Sequence, residues 1–183
     1  KLSRLRDAVK YMIPVTKFEE LQIPFSCIAV DLNSGDDIVY NSGDLIEAVV
    51  ASAAIPGYLQ PVENNGQLLV DGGVSRPVPV DILKNRGADF IIGVEASIAN
   101  FKAIKNPNLL KILGRAEQIS SKRLGTIKLS EADVVIRPDT MDLFWSEFDH
   151  LDELVENGET AAEEALENIH STIRKKRGFR GKL

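Results

Sequence analysis

An α/β domain is the fold class this chain predicts, and two observations predict it. Strand-like apolar segments alternate with amphipathic helical ones along the chain. Several of the strand segments, such as Phe90-Ile91-Ile92-Gly93-Val94, are near-continuous apolar runs of the kind a sheet covered on both faces requires. The expected architecture is three layers, α/β/α, around a mainly parallel mixed sheet. No internal repeat or low-complexity linker divides residues 1–183, so they read as parts of one domain.

Strands are expected at Phe25–Asp31, Ile38–Tyr40, Gln67–Val70, Phe90–Glu95 and Asp133–Ile136. Turn formers fill the stretch from Asp31 to Asp37, which predicts a hairpin and one antiparallel pairing. A helix over Asp44–Ala54 follows Gly43 and stops before Pro56, because the residue preceding a proline is pushed out of helical geometry. Pro79–Arg86 opens on a proline and closes on Gly87. Asn106-Pro107 predicts the cap and first position of a long helix whose apolar stripe is Leu109, Ile112, Leu113, Ala116 and Ile119. The last helix runs from about Asp149 to Ile173, with Gly158 as the point where it could split.

Composition excludes several functions. With 183 residues, 44% of them hydrophobic, no apolar run approaches the roughly 20 residues of a membrane-spanning helix. The single cysteine, Cys27, rules out an internal disulfide, and His150 and His170 are the only histidines, so a soft-metal site is not expected. No cofactor motif is present, neither Gly-x-Gly-x-x-Gly nor Gly-x-x-x-x-Gly-Lys, and the cytoplasm is the default compartment. A net charge of -5 argues against nucleic acid as partner. Acids crowd Glu147 to Glu167, and the end reverses sign with Arg174, Lys175, Lys176, Arg177, Arg180 and Lys182. That pattern reads either as a solvated helix with a frayed tail or as peripheral contact of the tail with anionic lipid.

The chemistry concentrates near Asp71. The apolar run Leu68-Leu69-Val70 delivers this carboxylate into Gly72-Gly73, at the rim of the sheet where α/β proteins bind ligands. Glycines there permit close approach of a neighbouring backbone. Taken alone, Asp-Gly-Gly reads first as an aspartate closing its own turn. Cys27 sits in a strand interior and reads as an inert small hydrophobe; Ser52 lies near a helix end, and neither histidine has triad spacing.

The series Pro24-Phe25, Ile28 to Asp31, Ala51-Ser52-Ala53-Ala54-Ile55-Pro56-Gly57, Pro61-Val62, Leu69-Val70-Asp71-Gly72-Gly73-Val74 and Pro77 to Val80 resembles the second half of the patatin-like phospholipase family, in particular its small bacterial members. Ala132 to Pro138 and Gly158 to Ala162 are similar to that family's closing segments. The resemblance implies a lipid acyl hydrolase with a Ser–Asp dyad, Asp71 being the acid, and no metal or organic cofactor. It also implies an acyl-binding role for the apolar loop of Ile55, Pro56 and Leu59. The family's nucleophile lies on Gly-x-Ser-x-Gly, and no two glycines of this chain are four apart. The expectation is therefore the C-terminal portion of a patatin-like domain, incomplete at its N-terminal side and inactive alone. Such a fragment would associate with its missing half or with itself. The alternative is a non-catalytic binding or regulatory fragment of the same fold.

Overall fold

The computed structural model describes residues 2–143 and 147–180, with side chains described as far as residue 177; Lys182 of the basic run lies outside these, as does the Arg180 side chain. The chain forms two compact units, the first Lys1–Pro77 with Leu109–Ser121, the second Val78–Asn108 with Lys122–Leu183.

The first unit opens with helix α1 (Leu2–Met12). Strands β1 (Cys27–Asp31) and β2 (Asp37–Tyr40) form the expected hairpin. Asp31 builds its turn: the carboxylate accepts the Asn33 N–H at 3.0 Å and the Ser34 hydroxyl at 3.3 Å, and also the Leu68 N–H of the neighbouring strand at 3.0 Å. Helix α2 (Leu45–Ser52) is capped by Asp44, which accepts the Glu47 N–H at 2.9 Å. Strands β3 (Val62–Asn64) and β4 (Gln67–Asp71) pair across Asn65-Gly66, whose φ values of 48° and 83° are what a two-residue hairpin turn demands. The sheet order is β2-β1-β4-β3. Val9 of α1, Ala29, Ile46, Val50, Ala51, Ala54, Val62 and Leu69 fill the core.

The second unit holds α3 (Val80–Asn85), the parallel pair β5 (Ile92–Val94) and β6 (Val134–Ile136), and α5 (Leu151–Arg180). Helix α4 (Leu109–Leu129) contributes its first turns to the first unit and its last turns to the second. Gly93 gives Leu129 its room, because a Cβ there would sit 2.4 Å from the leucine side chain. Ion pairs Lys128–Asp81 at 2.9 Å and Arg137–Glu95 at 2.7 Å tie this unit together.

The class is α/β, but the pairing corrects one expectation. Among the described strands, three pairings are antiparallel and one is parallel, so the sheet is not mainly parallel here. The reason is burial: β1 is almost wholly covered, and its continuous apolar run arises in an antiparallel sheet packed by α1 and α2 as readily as in a parallel one. Two helix details differ as well. Asn106 takes φ 49° and α4 starts at Leu109, so Asn106 is not its cap. Gly158 does not split α5; nothing lies near its Cβ position and the helix continues through it.

Candidate active site

Asp71 ends β4 opposite Ala29 of β1, and its backbone turns directly into Gly72–Val74. Its carboxylate caps that turn, accepting the Gly73 N–H at 2.7 Å. Its own N–H donates to the Ala54 carbonyl at 3.1 Å. One hydrogen bond thus joins the two sequence motifs, the end of α2 and the Asp-Gly-Gly turn. Gly72 lets the turn press on β1: a Cβ there would meet the Ile28 carbonyl oxygen at 2.4 Å. Beyond the turn, Ser75 and Arg76 donate N–H bonds to the Gly72 carbonyl at 3.1 and 2.8 Å. The Ser75 hydroxyl and the Arg76 guanidinium both bond the Asp37 carboxylate of β2. The acid is held from both sides.

Half-buried, Asp71 has its pKa pushed up by loss of solvent, and the Gly73 N–H opposes this only in part. Glu117 on α4 is also raised, first by burial and then by the negative charge of Asp71. Two carboxylates therefore share this poorly hydrated region. Nothing in the sequence marks Glu117, which reaches the site only through the packing of α4. Tyr58 belongs to the same contact, since a Cβ on Gly114 would lie 2.9 Å from its hydroxyl.

Of the expected acyl-binding residues, Ile55 and Leu59 are half-buried and Pro56 is exposed. They sit on a turn that starts at the residue after Ala54, closed by N–H bonds from Tyr58 at 3.2 Å and Leu59 at 2.9 Å to the Ile55 carbonyl. A groove of about 300 Å³ lies elsewhere in this unit, lined by Tyr40, Glu47, Ala51, Val62 and Leu69 among others, and includes neither Asp71 nor these three residues. Cys27 is half-buried, its thiol pushed up to about 11 by burial, with a Ser52 hydrogen bond opposing. His150 is exposed beside Glu153 at 3.2 Å, and His170 is exposed on α5. Among the described residues no cluster of His, Cys, Asp or Glu could hold a metal ion, and no helix is long and apolar enough to cross a membrane.

An α/β unit whose strand ends on a partly dehydrated aspartate, seated on a helix end, is the class this geometry defines. Residues 2–84 match the family profile described as patatin-like phospholipase. An uncharacterized NTE family protein of Mycobacterium tuberculosis is 36% identical over 94 residues, covering 51% of this chain and 26% of the relative. A second such protein from that organism is 27% identical, covering 87% of this chain and 31% of the relative. A patatin-like phospholipase domain-containing protein of Caenorhabditis elegans is 33% identical over 90 residues, 48% of this chain and 7% of the relative. Over residues 2–84, a little under half of its length, the chain is similar to the patatin-like phospholipase family. It spans between a quarter and a third of the mycobacterial relatives' length.

Proposed function

We propose that this chain supplies the acid of a Ser–Asp dyad in a lipid acyl hydrolase, with phospholipids or other acyl esters as substrates. The observation that carries the reading is the bond from the Asp71 N–H to the Ala54 carbonyl, which seats a half-buried carboxylate with raised pKa against the end of α2. In the proposed reaction Asp71 accepts the proton of a seryl hydroxyl as the seryl oxygen bonds the ester carbonyl carbon and the C=O electron pair moves onto oxygen. Collapse of that adduct breaks the ester C–O bond, and the departing alcohol takes the proton back from Asp71. Water then repeats the sequence on the acyl-enzyme. A raised pKa makes Asp71 the stronger base for this task.

The serine and the oxyanion donors belong, on this reading, to a Gly-x-Ser-x-Gly segment and a glycine-rich turn outside these 183 residues, in a three-layer patatin-like domain that adds parallel strands. The greater length of the relatives and the lack of any two glycines four apart support it. Ile55, Pro56 and Leu59 are proposed to contact the acyl chain. No cofactor enters the scheme, and a cytoplasmic site of action fits a lone, unreactive cysteine. Either the missing half or a second copy would pack on this segment.

The test is hydrolysis of p-nitrophenyl acyl esters by a longer protein joining this segment to its Gly-x-Ser-x-Gly. Asp71→Asn there should lower kcat/KM by about 10²–10⁴-fold, the usual worth of a positioned general base. Wild-type turnover by Asp71→Asn would overturn the reading. So would Asp71-dependent turnover by the 183 residues alone, which would reveal an internal nucleophile.

A further inference from the structure

We propose that α5 pairs antiparallel with α5 of a second copy of this chain, burying an apolar seam that the second unit leaves open. The helix is 30 residues long, about 45 Å from end to end. It packs on β6, with Leu154, Ala161, Ala165 and Ile169 half-buried. Beside that face Leu151, Val155 and Leu166 are 58%, 53% and 48% exposed, and Ala162 is exposed with them. Their spacing of four, seven and four residues holds all four within an arc of about 60°, a narrow seam of the kind one helix offers another.

Charge names the occupant. From Leu151 to Glu167 the helix has seven acids and no Lys or Arg; from Asn168 onward it has Arg174, Lys175, Lys176 and Arg177 and no acid. Asp152, Glu156, Glu159 and Glu163, then Arg174 and Arg177, stand exposed on one flank of the seam. Among the described residues, the side chains of Glu156, Glu159, Arg174 and Arg177 have no hydrogen-bond or ion-pair partner.

A two-fold axis across the seam reverses one helix and sets this flank against the same flank of its mate. With the axis near Leu166, Glu156 faces Arg177 and Glu159 faces Arg174, and the symmetry makes each pair twice. A parallel pairing would lay one acidic half beside the other. An anionic lipid surface would meet seven like charges. The face is therefore complementary to itself when reversed. None of these residues belongs to the Asp71 site, so the inference stands apart from the hydrolase reading.

The experiment is sedimentation velocity over a concentration series, on the 183-residue chain and on the longer protein that joins it to its Gly-x-Ser-x-Gly. Both are expected to show a reversible monomer–dimer equilibrium that added salt weakens. Val155→Ala with Leu166→Ala should weaken it at least about tenfold, with far-ultraviolet circular dichroism retained because both side chains are exposed and alanine favours helix. Glu156→Lys with Glu159→Lys, and separately Arg174→Glu with Arg177→Glu, should each weaken self-association at least about tenfold, since every reversal counts twice. Mixing these two double variants should restore a dimer, because each then offers the charge that the other needs. A monomer at every concentration, dimers indifferent to the alanine pair or the charge reversals, or no dimer on mixing would overturn the proposal. So would a longer protein that stays monomeric, since its added segment would then cover the seam.

Discussion

Replacing Gly72 by alanine tests how tightly the Asp71 turn is held. The new Cβ would lie 2.4 Å from the Ile28 carbonyl oxygen, 2.9 Å from its carbon and 3.0 Å from the Ile28 Cβ. Two of these three atoms are backbone of β1, which is itself paired with β2 and β4, so it has little freedom to retreat. An ordinary contact requires the turn to move away by about 1 Å, which strains the Asp71–Ala54 and Arg76–Gly72 bonds of 3.1 and 2.8 Å. Overpacking of this kind costs about 1–3 kcal/mol, and each weakened hydrogen bond about 1 kcal/mol. Reduced freedom of the unfolded chain returns about 0.4–1 kcal/mol, so the net loss should be about 2–4 kcal/mol. Gly73→Ala is the control: its Cβ meets only Asp71, with the carboxylate oxygen at 3.1 Å, and the N–H that this oxygen accepts is retained. It should cost below about 1 kcal/mol. Urea denaturation followed by circular dichroism measures both. Equal midpoints for Gly72→Ala and wild type, or equal losses for the two alanines, would refute the close-approach argument.

Three further outcomes are expected. Asp71→Asn should be slightly more stable than wild type at neutral pH: the folded pKa lies above the unfolded one, so wild-type stability declines as pH rises through that interval. The advantage should vanish below about pH 3.9, where an unfolded aspartate is also protonated; a constant difference across pH would contradict this. Cys27, at a pKa of about 11, should alkylate slowly in the folded chain; at pH 8 its thiolate fraction is about 200-fold below that of an ordinary thiol, and iodoacetamide labelling with and without urea measures it. Asp37→Asn should loosen the exit of the Asp71 turn by weakening its bonds to Ser75 and Arg76, seen as faster amide exchange at Gly72–Arg76 with little change at β5 and β6.

The Asp31 hairpin, helix α2 and the Asp71 turn were all legible, because each is specified by neighbours within a few residues. Helix α1 and strand β3 were missed although both left local signals. Leu2, Leu5, Val9 and Met12 carry helical spacing, and Asn65-Gly66 is a two-residue hairpin turn. Beyond the β1–β2 hairpin, strand direction was not legible. A covered strand such as β1 reads as an apolar run whichever way its neighbours point, so Ile28-Ala29-Val30 and Ile92-Gly93-Val94 look alike and pair oppositely. Glu117 was hidden for a different reason: its effect on the site arises from tertiary packing of residues 46 apart in sequence, and no local pattern encodes that.

Asp31 and Asp71 end adjacent antiparallel strands, and comparing them shows what separates a clamp from a base. Asp31 is 5% exposed, and the Leu68 and Asn33 N–H groups with the Ser34 hydroxyl hold its pKa below the usual range. With its lone pairs committed, it is unsuited to take a proton. Lowered in the folded state, its carboxylate contributes stability that is present above about pH 3.9 and is lost as pH falls through the folded value. Asp71 holds a single backbone N–H against its loss of solvent, and its pKa moves the other way. It therefore retains acceptor capacity at a carboxylate with raised proton affinity, which is what a seryl hydroxyl needs from a partner. The two asparagine substitutions should separate accordingly. Asp31→Asn should lower the urea midpoint at neutral pH and flatten its acid dependence, whereas Asp71→Asn should spare the midpoint and cost the longer protein its hydrolysis. Stability losses of similar size at both positions would mean that Asp71 is a second turn clamp, and the dyad assignment would fall with it.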